Sequence, residues 1–214
     1  MPVAVVIPAY NEEKTVGNIL QLLKSIEFID EIILVSDGST DNTASIGKSC
    51  GVRVIELTQN SGKVGAVLHG VKSTDADVIL LLDADLIGLK KEHVYNLLRP
   101  VLEEGVDMTV GIFRNGRGAT DLAQKIAPFL SGQRAIKRRV FDKLDGYGVK
   151  DYGLEMALTI LAKKENLKVQ PVILKDLTHV MKEEKRGLIM GGLARMKMYW
   201  DILSCILKLR LEVF

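Results

Sequence analysis

A chain of 214 residues suits one domain, or one domain with a modest extension, and is long enough to bury a large core. With 47% hydrophobic and 26% charged residues and a formal net charge of +2, it has the balance of a globular protein and not that of a nucleic-acid binder held by charge. Cys50 and Cys205 have no metal-type spacing, no run of about 18 uncharged apolar residues is long enough to span a bilayer, and no leader pattern precedes Val3, so a reducing cytoplasm is the expected setting.

The first strand, Val3–Ile7, ends in Pro8-Ala9-Tyr10-Asn11-Glu12-Glu13. Proline stops the strand, and Asn11 or a neighbour can cap the helix over Thr15–Ile26, leaving amides near Tyr10 and Asn11 for an anion; an ordinary capped turn is the other reading. Val16, Ile19, Leu20 and Leu23 share one face of that helix. The second strand, Glu31–Ser36, ends in Asp37-Gly38-Ser39-Thr40-Asp41. Asp37 can accept from a base or ribose, Gly38 admits close backbone approach, and Asp41 can cap a helix over Thr43–Cys50. A third strand over Val52–Leu57 leads through Asn60–Lys63 to a helix over Val64–Ser73. The fourth strand, Asp77–Leu82, delivers Asp83-Ala84-Asp85. Extended-chain alternation puts Asp83 and Asp85 on one side, where they can converge on Mg²⁺ or Mn²⁺ bridging phosphate oxygens. A helix over Lys91–Glu104 and a strand over Met108–Ile112 complete this half.

Short apolar strands alternating with helices predict an α/β fold, a doubly wound, mostly parallel sheet with helices on both faces. Ligands of such sheets bind beyond the carboxyl ends of the strands. Every unusual segment lies at such an end, which predicts one composite site. No GxGxxG follows the first strand, which argues against a dinucleotide-dependent dehydrogenase.

In the second half, Phe113–Thr120 reads as a loop carrying Arg114 and Arg117, followed by a helix through Leu130, a basic stretch Gln133–Arg139 and a turn at Gly146–Gly148. Leu154–Lys164 reads as a helix, Lys168–Leu174 as a strand, and the tail from Leu188 as mostly helical. The expected organisation is one domain: a nucleotide-binding half over 1–112, an acceptor half over 113–186 and a helical tail over 187–214. Asp151 and Glu155, four residues apart, are candidates for a general base; acids serving a helix N-terminus are the other reading. Met198–Phe214 is apolar but too short and too charged to span a bilayer. It suits packing against the domain, a homodimer contact, or peripheral attachment to a membrane.

PAYNEE, SDGSTDNT, NSGKVGA and LLDADL stand in an order and spacing that resemble the family 2 glycosyltransferases of GT-A fold, closely over residues 1–112 and loosely beyond. The resemblance implies a Rossmann-like half that binds a UDP- or GDP-sugar with Mg²⁺ or Mn²⁺, and a half that binds the acceptor. Carried over residue by residue, Pro8, Ala9, Tyr10 and Glu12 would line the base and ribose pocket, and Asp37 would bond the base. Lys63 and Asp83 would lie at the nucleotide, and Asp85 would be the chief metal ligand. The segment Leu130–Arg138 resembles the acceptor side of such enzymes. Independently of it, Arg114, Arg117, Arg134, Lys137, Arg138, Lys185 and Arg186 could hold a phosphorylated acceptor or the diphosphate, with Arg134 and Arg138 taken as the phosphate contacts. His179 stands where retaining relatives similar to glucosyl-3-phosphoglycerate synthase complete the metal site. The acceptor would be a small phosphorylated molecule, or a polyprenyl phosphate as in enzymes similar to dolichol-phosphate mannose synthase. The alternatives are a sugar nucleotidyltransferase, disfavoured because PAYNEE replaces a glycine-rich loop, and a non-catalytic nucleotide-sugar-binding module.

Overall fold

A computed structural model describes residues 1–114, 131–144 and 153–180. The chain divides into a compact unit Met1–Thr178 and a second unit His179–Phe214, of which His179 and Val180 are described. The strands are β1 (Val3–Ala9), β2 (Glu31–Asp37), β3 (Arg53–Leu57), β4 (Val78–Leu81), β5 (Leu86–Ile87), β6 (Met108–Arg114), β7 (Arg134–Lys137), β8 (Val169–Lys175) and β9 (Thr178–His179). The helices are α1 (Val16–Lys24), α2 (Thr43–Ser49), α3 (Gly62–Lys72), α4 (Lys91–Glu103), α5 (Arg138–Asp142) and α6 (Leu154–Lys164).

Seven strands form one sheet in the order β3-β2-β1-β4-β7-β6-β8, and β5 and β9 form a separate ladder. In the large sheet β7 runs antiparallel to β4 and β6, while β1–β2, β1–β4, β2–β3 and β6–β8 pair in parallel. Alternation along the strands feeds two cores. Val5, Ile7, Leu34 and Leu80 point to one face, where α1 adds Val16, Ile19, Leu20 and Leu23 and α4 adds Val94, Leu97, Leu98 and Val101. Val6, Ile33, Val35, Ile79 and Leu81 point to the other, met by Ala66, Val67 and Val71 of α3 and by Leu154, Leu158 and Leu161 of α6. Burial of each such side chain contributes about 1.5–3 kcal/mol, and a strand apolar on both sides is stable only where helices cover both faces. The doubly wound α/β architecture expected from the sequence is the one observed.

Three local features differ from expectation. The basic stretch Gln133–Arg139 is a buried strand followed by a short helix, with Ala135 and Ile136 fully buried between β4 and β6. The strand β4 ends at Leu81, so Asp83 and Asp85 stand in the turn before β5 and not on a pleated strand. The strand β6 runs on through Phe113 and Arg114, which pair with Leu174 and Lys175 of β8. The expected helix through Leu130, the turn at Gly146–Gly148, Asp151 and the tail from Leu188 lie outside the described residues. Among the described residues, no helix is long and apolar enough to cross a membrane.

Candidate active site

The loops after β1 and β2 are sewn together by side chains donating to, or accepting from, backbone. Asn11 sits in the left-handed region at φ 56°, and its Oδ1 accepts from Thr40 N at 2.8 Å while its own N donates to Ser39 Oγ at 3.1 Å. The amide of Glu12 donates to Thr43 Oγ1 at 2.8 Å and that of Glu13 to Asp41 Oδ2 at 3.1 Å. Asn11 thus braces the neighbouring loop instead of capping α1, whose N-cap position is Thr15. Thr15 Oγ1 donates to the Ala84 carbonyl at 2.7 Å, which ties the first loop to the turn carrying both aspartates.

The buried Asp37 faces inward from the end of β2. Its Oδ1 accepts from the Ser61 amide at 2.7 Å and the Ser61 hydroxyl at 2.8 Å, anchoring the start of α3. Gly38 follows at φ 69°, and a Cβ there would stand 2.8 Å from Asn60 N, so both backbone conformation and space demand glycine. The α3 start is thereby held against the β2 loop, and Lys63 projects from its first turn.

Lys63 is the centre of the charged cluster. Its Nζ lies 2.7 Å from Asp83 Oδ1 and 3.0 Å from Glu155 Oε1 on the first turn of α6. Gln133 Nε2 donates to the other Asp83 oxygen at 2.9 Å. Gly132 leaves the room for this: a Cβ there would come within 2.4 Å of Lys63 Nζ. Burial alone would lower the Lys63 pKa, but the Asp83 and Glu155 carboxylates outweigh it and raise it above its ordinary value. Pro8, Val67, Leu81, Leu82, Leu154 and Leu158 line the crevice beneath these charges.

Arg134 is fully buried, and desolvation pulls its pKa down to about 10 against the opposing charge of Glu155. Its Nε donates to Ser131 O at 2.9 Å and an Nη to Glu155 O at 3.3 Å. The guanidinium therefore supports the cluster from beneath, where the sequence had suggested an acceptor contact. Arg138 lies at the opposite edge of the sheet: its N donates to Asp77 O, just before β4, and its guanidinium to Ala76 O and Val71 O at 3.1 Å each. That position is incompatible with a contact at the carboxyl ends of the strands, because β7 runs away from the site between Arg134 and Lys137.

Of the remaining residues, Pro8 lines the crevice, Ala9 is buried, Tyr10 is 48% exposed beyond β1, and Glu12 is half-buried. Asp85 is half-buried in the β4–β5 turn. His179 follows Thr178 at the end of β9, and the segment before it is held beside α4 by Lys90 Nζ at 3.7 Å from Asp176 Oδ2. Sequence reasoning missed Gln133 and Gly132 as parts of the charged cluster, and the joint hold of Lys63 on Asp83 and Glu155. Their only local signal was a glycine and an amide ahead of a short strand.

Comparison with known proteins agrees with this geometry. The profile of glycosyl transferase family 2 matches residues 4–158. The uncharacterized protein MJ1222 of Methanocaldococcus jannaschii is 34% identical over 197 residues, covering 81% of this chain and 80% of that one. Glucosyl-3-phosphoglycerate synthase of Mycolicibacterium smegmatis is 34% identical over 122 residues, which span 52% of this chain and only 40% of that enzyme. Among solved structures, glucosyl-3-phosphoglycerate synthase from Mycobacterium tuberculosis in complex with Mn²⁺ and UDP-glucose superposes with a TM-score of 0.72 at 25% identity, covering 95% of this chain and 78% of that one. Its complex with Mn²⁺, UDP and glucosyl-3-phosphoglycerate gives a TM-score of 0.71 at 26% identity. On the family match over most of its length and the shared GT-A fold, the chain belongs to glycosyl transferase family 2.

Proposed function

We propose that this glycosyltransferase moves a sugar from a nucleotide-sugar donor, with UDP-glucose the first candidate, to a small phosphorylated acceptor in a reaction dependent on a divalent cation. The observation that carries the reading is the Asp83-Ala84-Asp85 turn beside Lys63 at the carboxyl end of β4, in a chain similar to an enzyme crystallised with Mn²⁺ and UDP-glucose. Asp85, Asp83 and His179 are the proposed holders of the cation. Carboxylates and an imidazole are donors that Mg²⁺ or Mn²⁺ accepts, so the residue types fit the group. When bound, such an ion supplies Lewis-acid stabilisation of the departing diphosphate.

The protein's own groups do the rest. Pro8, Ala9, Tyr10 and Glu12 are assigned to the base and ribose, with Asp37 fixing the floor of that pocket through Ser61. Lys63 presents its ammonium to the diphosphate, where charge grows as the glycosidic bond breaks. Glu155, across Lys63 from Asp83, is the carboxylate assigned to the acceptor hydroxyl, with Asp151 as the second candidate from the sequence. Arg114, exposed at the carboxyl end of β6, is a described basic residue at the edge where an acceptor phosphate would enter.

A titration of UDP, GDP, UDP-glucose and GDP-mannose, each with and without Mn²⁺, tests the proposal. Mn²⁺-dependent binding of UDP and UDP-glucose is expected, and the Asp85→Ala variant should lose the metal dependence while keeping its melting temperature. Metal-dependent binding that survives Asp85→Ala would sink the metal assignment.

A further inference from the structure

Asp83 is gripped on both carboxylate oxygens, by Lys63 at Oδ1 and by Gln133 at Oδ2. Lys63 has a second carboxylate within reach, Glu155 at 3.0 Å, so its position depends on how firmly Asp83 is held. An aspartate's terminal torsion is broad and nearly two-fold, and a lysine on its flexible stem follows whichever oxygen it is offered. Gln133 is the rigid member of the set. It is fully buried, and its main chain is pinned on both sides: the carbonyl O accepts from Gly111 N at 2.8 Å and the backbone N donates to Ser131 Oγ at 3.4 Å. Beside it, a Cβ at Gly132 would lie 3.1 Å from Asp83 Oδ2 as well as meeting Lys63, so the backbone approaches the pair as closely as it can.

We propose that Gln133 is a positioning residue of the donor site: by holding Asp83 Oδ2 it sets which oxygen Asp83 offers to Lys63, and so how Lys63 is shared between Asp83 and Glu155. This inference rests on the donor-site reading above. The buried amide acts through Asp83 and need not touch the nucleotide. Removing it lets Asp83 rotate and lets Lys63 settle on Glu155, away from the donor side.

The test compares wild type with Gln133→Leu, which keeps the volume and removes the donor, and Gln133→Glu, which keeps the shape and replaces the donor with a carboxylate. The readouts are UDP affinity by calorimetry with and without Mn²⁺, and the ligand-free melting temperature. Gln133→Leu is expected to weaken Mn²⁺-dependent UDP binding roughly tenfold, in the range typical of groups that orient a metal or ligand site from behind. Gln133→Glu should weaken it too, because a carboxyl in that place either repels Asp83 or shares a proton with it, and both change the oxygen offered to Lys63. If Gln133→Leu does not fold, Gln133→Met, unbranched and of similar length, is read in its place with the same expectation. A purely packing role predicts a lower melting temperature with unaltered affinity, and that result overturns the inference while leaving the donor site standing. Absence of Mn²⁺-dependent UDP binding by the wild type overturns both.

Discussion

Lys63 lies between Asp83 and Glu155, and the two carboxylates hold it as a cation. Replacing it with methionine leaves Asp83 and Glu155 facing one another with no ammonium between them and nothing to meet the diphosphate. Lys63→Met should reduce kcat/KM for the nucleotide sugar by about 10²-fold, the usual consequence of removing one charge-stabilising group from a transition state. The melting temperature should change by only a few degrees, because the side chain is 42% exposed. Steady-state kinetics and a thermal melt on the same preparation decide the matter. At this scale the sequence was informative wherever a residue's meaning is local. Asp37, Asp83 and Asp85 drew notice because each stands at the end of an apolar run, and Lys63 because the motif around it resembles a known one; the fold brings Lys63 and Asp83 into contact. Gln133 was not legible as a partner of Asp83, because fifty positions separate them and only the fold brings them together. Arg134 was misleading: an arginine in a basic stretch reads as surface, and this one is buried beneath the cluster.

Among the elements, the parallel strands and their covering helices were readable almost throughout, since a strand apolar on both faces, closed by a turn and followed by a 3.6-residue pattern, is hard to mistake. The two-residue strands β5 and β9 escaped, and in the large sheet the strand that escaped was β7. Its sequence, Arg-Ala-Ile-Lys, has only two apolar residues, and its charged ends find partners that only the folded sheet supplies. The helix α5 that follows carries Arg138, which clips the last turn of α3 and the residue before Asp77 to the β7 end. Arg138→Met should therefore destabilise the fold by about 1–3 kcal/mol, as expected for unmade hydrogen bonds from a charged group. UDP affinity should stay as in the wild type. A chemical-denaturation curve beside a binding titration distinguishes this from a ligand contact, which would show the reverse pattern.

For the whole molecule the two edges of the sheet have different work. The carboxyl edge carries the charged cluster around Lys63, while the amino edge carries an ion-pair knot around Asp107, whose Oδ1 receives Arg139 at 2.5 Å and Lys137 at 3.5 Å and whose Oδ2 receives Lys168 N at 3.0 Å. Burial pushes the Asp107 pKa up, but Arg139, the Lys168 amide and Lys137 outweigh it and hold the carboxyl below its ordinary value. A depressed folded-state pKa contributes stability above the unfolded value, about 3.9 for aspartate, that is lost as pH falls through the folded value. Glu31 and Asp41, also lowered, act in the same direction, whereas Lys63, raised, contributes stability that is constant through acid and neutral pH and lost in alkali. Urea midpoints should therefore fall between pH 6 and pH 3, and the gap between wild type and Asp107→Asn should narrow over that interval. A gap of constant size would assign the loss to other carboxylates. The reversal of β7 has a consequence for how the cluster is assembled. Because this strand, alone among the described strands of the large sheet, runs against its neighbours, it reaches the charged cluster with its beginning, so Ser131, Gly132 and Gln133 are supplied by chain that arrives there, while the β1, β2 and β4 loops are supplied by chain that departs. A change of length in the departing loops therefore leaves the arriving stretch where it is, so the grip of Gln133 on Asp83 is set by a different part of the chain from the loops around it.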